Sequence, residues 1–431
     1  MPDAASGRTA DSETLDSKDY DLSISVKVWL VCFGLALALG ATLLSSSRLR
    51  DTLVIVAGRA RDLIVAKLRP PLYRERHQHV VDRAVEQGDQ IAAYLKAQRA
   101  AAPELALIDA LDFSSQDAYL RSSAALRARL GASLRFPPPG FEHKPTTQPV
   151  ESLVGEDDLA VYRELRIPVL PGVESAGLYI RPKNARDQDR LPLVIAAPGR
   201  GGMPAPTTDG GLPTISRSSR DLSWDALQRG FAVWVPIFVH YGRDSDDFRD
   251  RLTVRAWEAN TSLPAIEIAK IVRAIDALSQ RNDIDADRIA MVGHSYGGFY
   301  TLYATALEPR IRVAVVSAYF NDREAVLDGS EPGGFLDWRY PGSLSLWRDP
   351  AVAALVAPRP LLIEAGTQDQ LFPIEGARRA ASLAAQLYAK QGLADRFHFH
   401  EFAGRHDFEG PAAIEFIEKH LPPASRPATT R

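Results

Sequence analysis

The sequence predicts an α/β domain in which a doubly wound, mostly parallel sheet of eight strands is covered by helices on both faces. Three observations predict it. Beyond residue 150, short apolar runs alternate with helical ones; a Gly-rich turn around Ser295 joins one such run directly to a helix; and an acid and a histidine follow on later strand-end loops.

The strand runs are 159–167, 177–180, 193–197, 231–238, 289–293, 313–317, 361–365 and 397–402. They are short, rich in Val, Ile and Leu, and bounded by Gly, Pro, Asp or Asn, as strands buried on both faces are. Helical periodicity is clearest at 265–279, 298–307, 376–391 and 411–421, each placed between two strand runs or after the last. No internal repeat is present, and the domain is expected over 150–422.

Composition narrows the class. The chain has 431 residues, 45% hydrophobic and 24% charged, values of an ordinary globular protein. Its 51 Lys and Arg against 54 Asp and Glu give a formal charge of -3, so there is no basic excess to coat nucleic-acid phosphates. The single cysteine, Cys32, excludes an internal disulfide and any cysteine-built metal site. A buried apolar role suits Cys32 better than lipidation.

Upstream of the domain the texture differs. Residues 1–27 are polar and acid-rich, and a disordered tail is expected there. Residues 28–44 carry no charge, and a helix needs about 17–25 such residues to cross a bilayer core. A single transmembrane helix over 28–47 is therefore expected, with a buried core helix and a cleaved signal peptide as the alternatives. Arg8, Lys18 and Lys27 precede it and Arg48, Arg50, Arg59 and Arg61 follow, a bias that leans towards a cytoplasmic C-terminal part. Residues 48–149 form a helical lead-in: Leu53, Val56, Leu63, Ile64, Leu68, Val81, Val85, Ile91 and Leu95 recur at helical spacing, with breaks at Pro70-Pro71 and Pro137-Pro138-Pro139-Gly140. Its apolar face is expected to pack on the downstream domain, or else to lie on a membrane surface. Residues 423–431 read as a second disordered tail.

The chemistry is concentrated at Gly293-His294-Ser295-Tyr296-Gly297-Gly298. A serine on a tight strand-to-helix turn needs small residues two positions to either side, because side chains there would strike the turn or the sheet. The helix start aims free N–H groups and its positive end at the serine, so Ser295 is the candidate nucleophile. A serine hydroxyl requires a base, and the base a group that holds its tautomer. Asp369 follows the 361–365 strand and His406 the 397–402 strand, both on strand-end loops. Asp322, after the 313–317 strand, is the alternative acid. Oxyanion donors are expected from the N–H of Tyr296 and, in the loop Pro198-Gly199-Arg200-Gly201-Gly202, from Arg200. His398 and His400 alternate on one strand but lack a third metal ligand, and His294 is expected to pack within the turn. Asp244, Asp246, Asp247 and Asp250 read as a solvated acidic face without calcium-loop spacing. No metal or organic cofactor is called for.

These residues together resemble the α/β-hydrolase superfamily, and within it bacterial acetyl xylan esterases and dienelactone hydrolases. The resemblance is carried by Asp285-Ala286-Asp287-Arg288-Ile289, by Ala306-Leu307-Glu308-Pro309-Arg310-Ile311 with Ala314-Val315-Val316-Ser317, by Leu355-Val356-Ala357-Pro358-Arg359-Pro360-Leu361-Leu362 and by Phe402-Ala403-Gly404-Arg405-His406. It extends over about 150–421. Residue by residue it implies Ser295 as nucleophile, Asp369 as acid and His406 as base, in the chain order of that fold. One departure is Pro198-Gly199, where many relatives carry His-Gly in the oxyanion loop.

The expected function is hydrolysis of a carboxylic ester, acetyl or another short acyl, through an acyl-enzyme. The partners are a small-molecule or carbohydrate ester and the membrane, with oligomeric state left open. Two alternatives remain: a peptidase or amidase related to prolyl oligopeptidases, and an inactive scaffold that has kept the fold. Aromatic residues Phe320, Phe335, Trp338, Tyr340 and Trp347 in 319–347 suggest a cap over the serine, or else an ordinary structural insertion.

Overall fold

The computed structural model describes residues 28–35, 47–68, 74–100, 107–142, 148–200, 217–239, 246–322, 336–343 and 346–422. The expected tails at 1–27 and 423–431, residues 36–46 of the expected membrane span, and Gly201-Gly202 and Phe335 lie outside them.

The chain divides into two compact units, Met1–Leu95 and Lys96–Arg431. In the first, residues 28–35 are helical and two longer helices follow, Ser47–Leu68 and Arg74–Ala100, the latter running on past the unit's end. Val28, Trp29, Cys32 and Phe33 line an apolar cleft together with Leu53, Val56, Ala57 and Ala60. Cys32 is exposed, contrary to the buried role expected of it. Among the described residues no helix is long and apolar enough to cross a membrane, so the expected transmembrane helix has no counterpart there.

The second unit is built on a nine-stranded sheet in the order β1-β2-β3-β5-β4-β6-β7-β8-β9. Its strands are β1 (Val150–Glu156), β2 (Ala160–Leu170), β3 (Val173–Pro182), β4 (Leu191–Ala197), β5 (Ala232–Pro236), β6 (Ile284–His294), β7 (Ile311–Ser317), β8 (Leu361–Gly366) and β9 (Phe397–Phe402). The first three pair antiparallel and β3 meets β5 antiparallel; every pair from β5 through β4 to β9 is parallel. The expected count of eight is thus corrected to nine. The strand missed is β1, an edge strand exposed along nearly its whole length, which has no apolar run to announce it and exists by pairing with β2.

Helices cover both faces. On one lie α2 (Arg217–Gln228) and α8 (Gly410–His420), whose Ala226, Leu227, Ala413, Ile414 and Ile417 pack on Val194, Val292, Val315 and Leu362. On the other lie α1 (Gln116–Leu134), α4 (Leu263–Leu278), α5 (Tyr296–Leu307), α6 (Asp349–Val356) and α7 (Ile374–Lys390), while α3 (Asp246–Glu258) follows β5. The end of the helical lead-in belongs to this core. Ser115 caps α1 by accepting from Ala118 N at 3.1 Å, and Leu126, Leu130 and Leu134, four residues apart, are buried against the unit. The Tyr119 hydroxyl donates to the Ala354 carbonyl, and Arg127 Nη2 to the Leu355 carbonyl at 3.0 Å.

Arg359 ties three elements at one point. Its guanidinium donates to the carbonyls of Thr305 (2.6 Å), Glu308 (2.9 Å), Ile311 (2.8 Å) and Val356 (3.1 Å), closing the end of α5, the start of β7 and the end of α6. Arg359→Ala leaves those acceptors without their donor, and urea unfolding is expected to show a loss of about 3 kcal/mol.

Candidate active site

The site lies at the C-terminal ends of the parallel strands. Ser295 follows β6 and precedes α5 with φ 54 and ψ -115, a conformation that L-residues rarely adopt. Surroundings hold it there: Ser295 N donates to the Ser317 carbonyl at 2.8 Å, and Phe299 N to the Ser295 carbonyl at 3.1 Å. The flanking glycines are required by contact. A Cβ on Gly293 would strike the Gly297 carbonyl, and one on Gly297 would strike the carbonyl of Ala197 at the end of β4.

His406 stands on the loop between β9 and α8, Asp369 on the loop between β8 and α7, and the two loops are laced together. Thr367 N donates to the Phe402 carbonyl at 2.9 Å and Gln368 N to the Gly404 carbonyl at 2.8 Å. His406 Nε2 then lies 2.7 Å from Ser295 Oγ and His406 Nδ1 2.8 Å from Asp369 Oδ2. The other carboxyl oxygen of Asp369 accepts from Leu371 N (2.8 Å) and Phe372 N (3.0 Å). With its side chain 1% exposed, Asp369 is held on all sides, whereas the His406 side chain keeps 22% of its surface open.

Asp322, the alternative acid, is engaged elsewhere: Arg379 Nε donates to its Oδ2 at 2.6 Å. Tyr296 opens α5 immediately after Ser295, so its N–H belongs to the first turn, whose donors have no partner within the helix itself. Arg200 lies exposed in the loop three residues beyond β4, the strand whose last residue, Ala197, pairs with Gly293. The two expected oxyanion donors therefore flank the same strand ends as Ser295.

His398 Nε2 lies 3.0 Å from the Asp395 carbonyl and His400 Nε2 2.6 Å from Glu409 Oε2, and no group of three metal-ligating side chains occurs among the described residues. Of the aromatic residues expected in a cap, Phe320, Tyr340 and Trp347 are core: Trp347 Nε1 donates to Ser133 Oγ at 2.9 Å and Tyr340 packs on Tyr303. Among the described ones, Trp338 approaches the site. Its ring stacks on Tyr296 at 6.0 Å and meets Phe372 edge-on at 6.4 Å.

Three contacts were not foreseen from the sequence. Phe372 stacks on the His406 ring at 5.6 Å and 15°, the His294 ring lies 4.9 Å from it at 52°, and Arg249 on α3 forms a buried ion pair with Asp337 at 3.4 Å. Asp250 accepts from Leu336 N at 3.3 Å, so this aspartate is a tether for the segment before Trp338 rather than part of a merely solvated face. Phe372 was within reach of inspection, three residues after the acid; the other contacts join elements far apart in sequence.

The parallel strand order, the strained serine between β6 and α5, and the Ser, Asp, His order along the chain make this an α/β-hydrolase fold, as the resemblance implied. The Prolyl oligopeptidase family matches residues 255–392, which include Ser295 and Asp369 and stop short of His406. The "Putative hydrolase YtaP" of Bacillus subtilis is 30% identical over 158 residues, 34% of this chain and 51% of YtaP; the chain thus spans about half the length of that curated relative. Among solved structures, a "putative acetyl xylan esterase" of Bacteroides fragilis is similar with TM-score 0.53 at 18% identity, covering 68% of this chain and 78% of its own. A glucuronoyl esterase of Teredinibacter turnerae is similar with TM-score 0.53 at 15% identity, covering 73% and 90%. These last two are likenesses of fold.

Proposed function

We propose that the protein is a serine hydrolase that cleaves a carboxylic ester, acetyl or another short acyl, through an acyl-enzyme. The observation that carries this reading is the unbroken contact from Ser295 Oγ through the His406 imidazole to the Asp369 carboxylate, at 2.7 and 2.8 Å. As Ser295 Oγ attacks the ester carbonyl, its proton passes to His406 Nε2, and the Nδ1–H held by Asp369 fixes the tautomer that can accept it. The charge on the carbonyl oxygen is received by the N–H of Tyr296 and that of Arg200. His406 then protonates the departing alkoxide, and water repeats the sequence on the acyl-enzyme. The esterase names of the structural relatives support an ester, and none of these steps calls on a metal.

The Prolyl oligopeptidase match supports a second reading, cleavage of an amide. The propeller usual in such peptidases needs many strands upstream, whereas among the described residues before Val150 only helices and turns occur. A fluorophosphonate probe is expected to label the wild type at Ser295, and a panel of acetylated sugars, acyl esters of rising length and matched amides is expected to show ester turnover far above amide. Equal rates on amides would turn the assignment to the peptidase, and an unlabelled, inert protein would indicate the scaffold.

We further propose that residues 28–47 anchor the chain in a membrane as a single span with the catalytic unit on the cytoplasmic side. The support is the uncharged run 28–44 and the arginines that follow it. Full-length protein is expected to stay with membranes through an alkaline carbonate wash and to be cut by external protease only after the membranes are opened. Complete release by carbonate would remove the anchor.

A further inference from the structure

Four neighbouring strands carry polar side chains at one level near their C-terminal ends, and the reaction above uses none of them. His294 on β6 pairs with Ser317 on β7, Ser317 with Glu364 on β8, and Glu364 with His400 on β9. Side chains alternate between faces along a strand. The row therefore shares the face of Val292, Val315 and Leu362, the one covered by α8. His294, Ser317 and Glu364 are all buried. His294 Nε2, Ser317 Oγ and both carboxyl oxygens of Glu364 have no hydrogen-bond partner among the described residues. A buried polar group left unpaired is costly, so such groups seek partners. Adjacent strands are about 4.8 Å apart, so these three side chains can pair with one another, directly or across one internal water. His400, at the outer end, is already engaged with Glu409.

The inner end meets the catalytic residues. The His294 ring packs 4.9 Å from that of His406, and a Cβ on Gly199 would come within 2.7 Å of His294 Nδ1. One side chain thus touches both the base and the loop that leads to Arg200.

We propose that Glu364, Ser317 and His294 form one hydrogen-bonded row that orients the His294 ring between His406 and the oxyanion loop at Gly199. This rests on the hydrolase reading above, and it makes His294 a positioning residue. Along the row the Glu364 carboxyl donates to Ser317 Oγ and the Ser317 hydroxyl to His294 Nε2, which leaves the imidazole proton on Nδ1, the nitrogen facing Gly199. Burial holds the Glu364 carboxyl well above the usual carboxylate range, with the Ser317 hydroxyl opposing the shift, which favours the protonated form that can donate. Burial, aided by His406, pushes the His294 imidazole down to about 3. The ring is uncharged in consequence, and it does not oppose the positive charge that His406 takes on as it accepts the serine proton.

Substitutions along the row test this. Glu364→Leu and Ser317→Ala are each expected to lower kcat on an activated acetyl ester about tenfold, the worth of roughly one hydrogen bond, with KM unchanged within about threefold. The double variant should be no worse than the weaker single one, and Glu364→Gln, which keeps a donor of the same shape, should stay within about threefold of wild type. Independently of turnover, nitrogen NMR of histidine-labelled protein should find the Nδ1–H tautomer of His294 in the wild type and in Glu364→Gln and lose it in Glu364→Leu; should Glu364→Leu not fold, Ser317→Ala gives the same readout. An active wild type whose His294 tautomer and kcat ignore residues 364 and 317 overturns the row alone. A wild type that shows the tautomer and its loss but hydrolyses no ester overturns the hydrolase reading and leaves the row standing.

Discussion

Ser295→Ala is expected to lower kcat on an activated acetyl ester by about 10⁶ while leaving the fold and the melting temperature near those of the wild type, and His406→Ala is expected to do the same. The two losses match because the hydroxyl and the imidazole act as one unit. Without the base, Ser295 Oγ is no better a nucleophile than water; without the hydroxyl, the imidazole nitrogen 2.7 Å away has no proton to accept. The double variant should accordingly be no slower than either single one, the small remaining rate coming from the oxyanion donors and from binding. The Ser295 side chain makes no capping hydrogen bond to α5, so circular dichroism should be unchanged. Turnover of purified Ser295→Ala within tenfold of the wild type would remove the acyl-enzyme mechanism. Cleavage with no labelling of residue 295 would move the chemistry elsewhere in the molecule.

Asp369→Asn is expected to cost about 10⁴ in kcat, less than the loss of either partner. Asp369 does not exchange protons; its carboxylate accepts a hydrogen bond from Nδ1–H at 2.8 Å and holds the ring so that Nε2 is free to act as the base. An amide in its place still accepts from Leu371 N and Phe372 N through one atom, which keeps the loop folded. If the NH₂ group then faces the imidazole, it donates to Nδ1, the ring takes its proton on Nε2, and the nitrogen facing Ser295 can no longer act as a base. The measurement is kcat together with the His406 nitrogen shifts in the same variant. A loss below tenfold with an inverted tautomer would show that the tautomer is not what Asp369 supplies, and Asp322→Asn, remote from the imidazole through its pairing with Arg379, should leave the profile unchanged.

Much of this site is legible locally. Gly293, Ser295 and Gly297 announce the turn because the steric demand falls within five consecutive residues, and Asp369 and His406 each follow a recognisable strand. The interval between them carries no signal of its own. That His406 reaches Ser295 depends on β8 and β9 being successive neighbours outward from β7 and on two backbone bonds that lace their loops. The contacts of Phe372, His294 and Trp338 with the site, and the pair Arg249–Asp337, depend on packing between remote segments. The helical pattern of 116–134 was readable, but its burial against α6 was not, since an amphipathic stripe specifies that a face will be covered and not by what.

By itself, then, the sequence determined the alternation of strands and helices, the turn that presents Ser295 and the order in which an acid and a base follow, because each depends on side-chain period or on sterics over a few residues. Only the tertiary structure decided that Asp369 and not Asp322 meets His406, that a ninth strand borders the sheet, and that His294, Ser317, Glu364 and His400 stand in one row. The physical reason is register. Which residues lie side by side across a parallel sheet is set by hydrogen bonds between strands that the chain joins only through long crossovers, and no local pattern encodes that alignment.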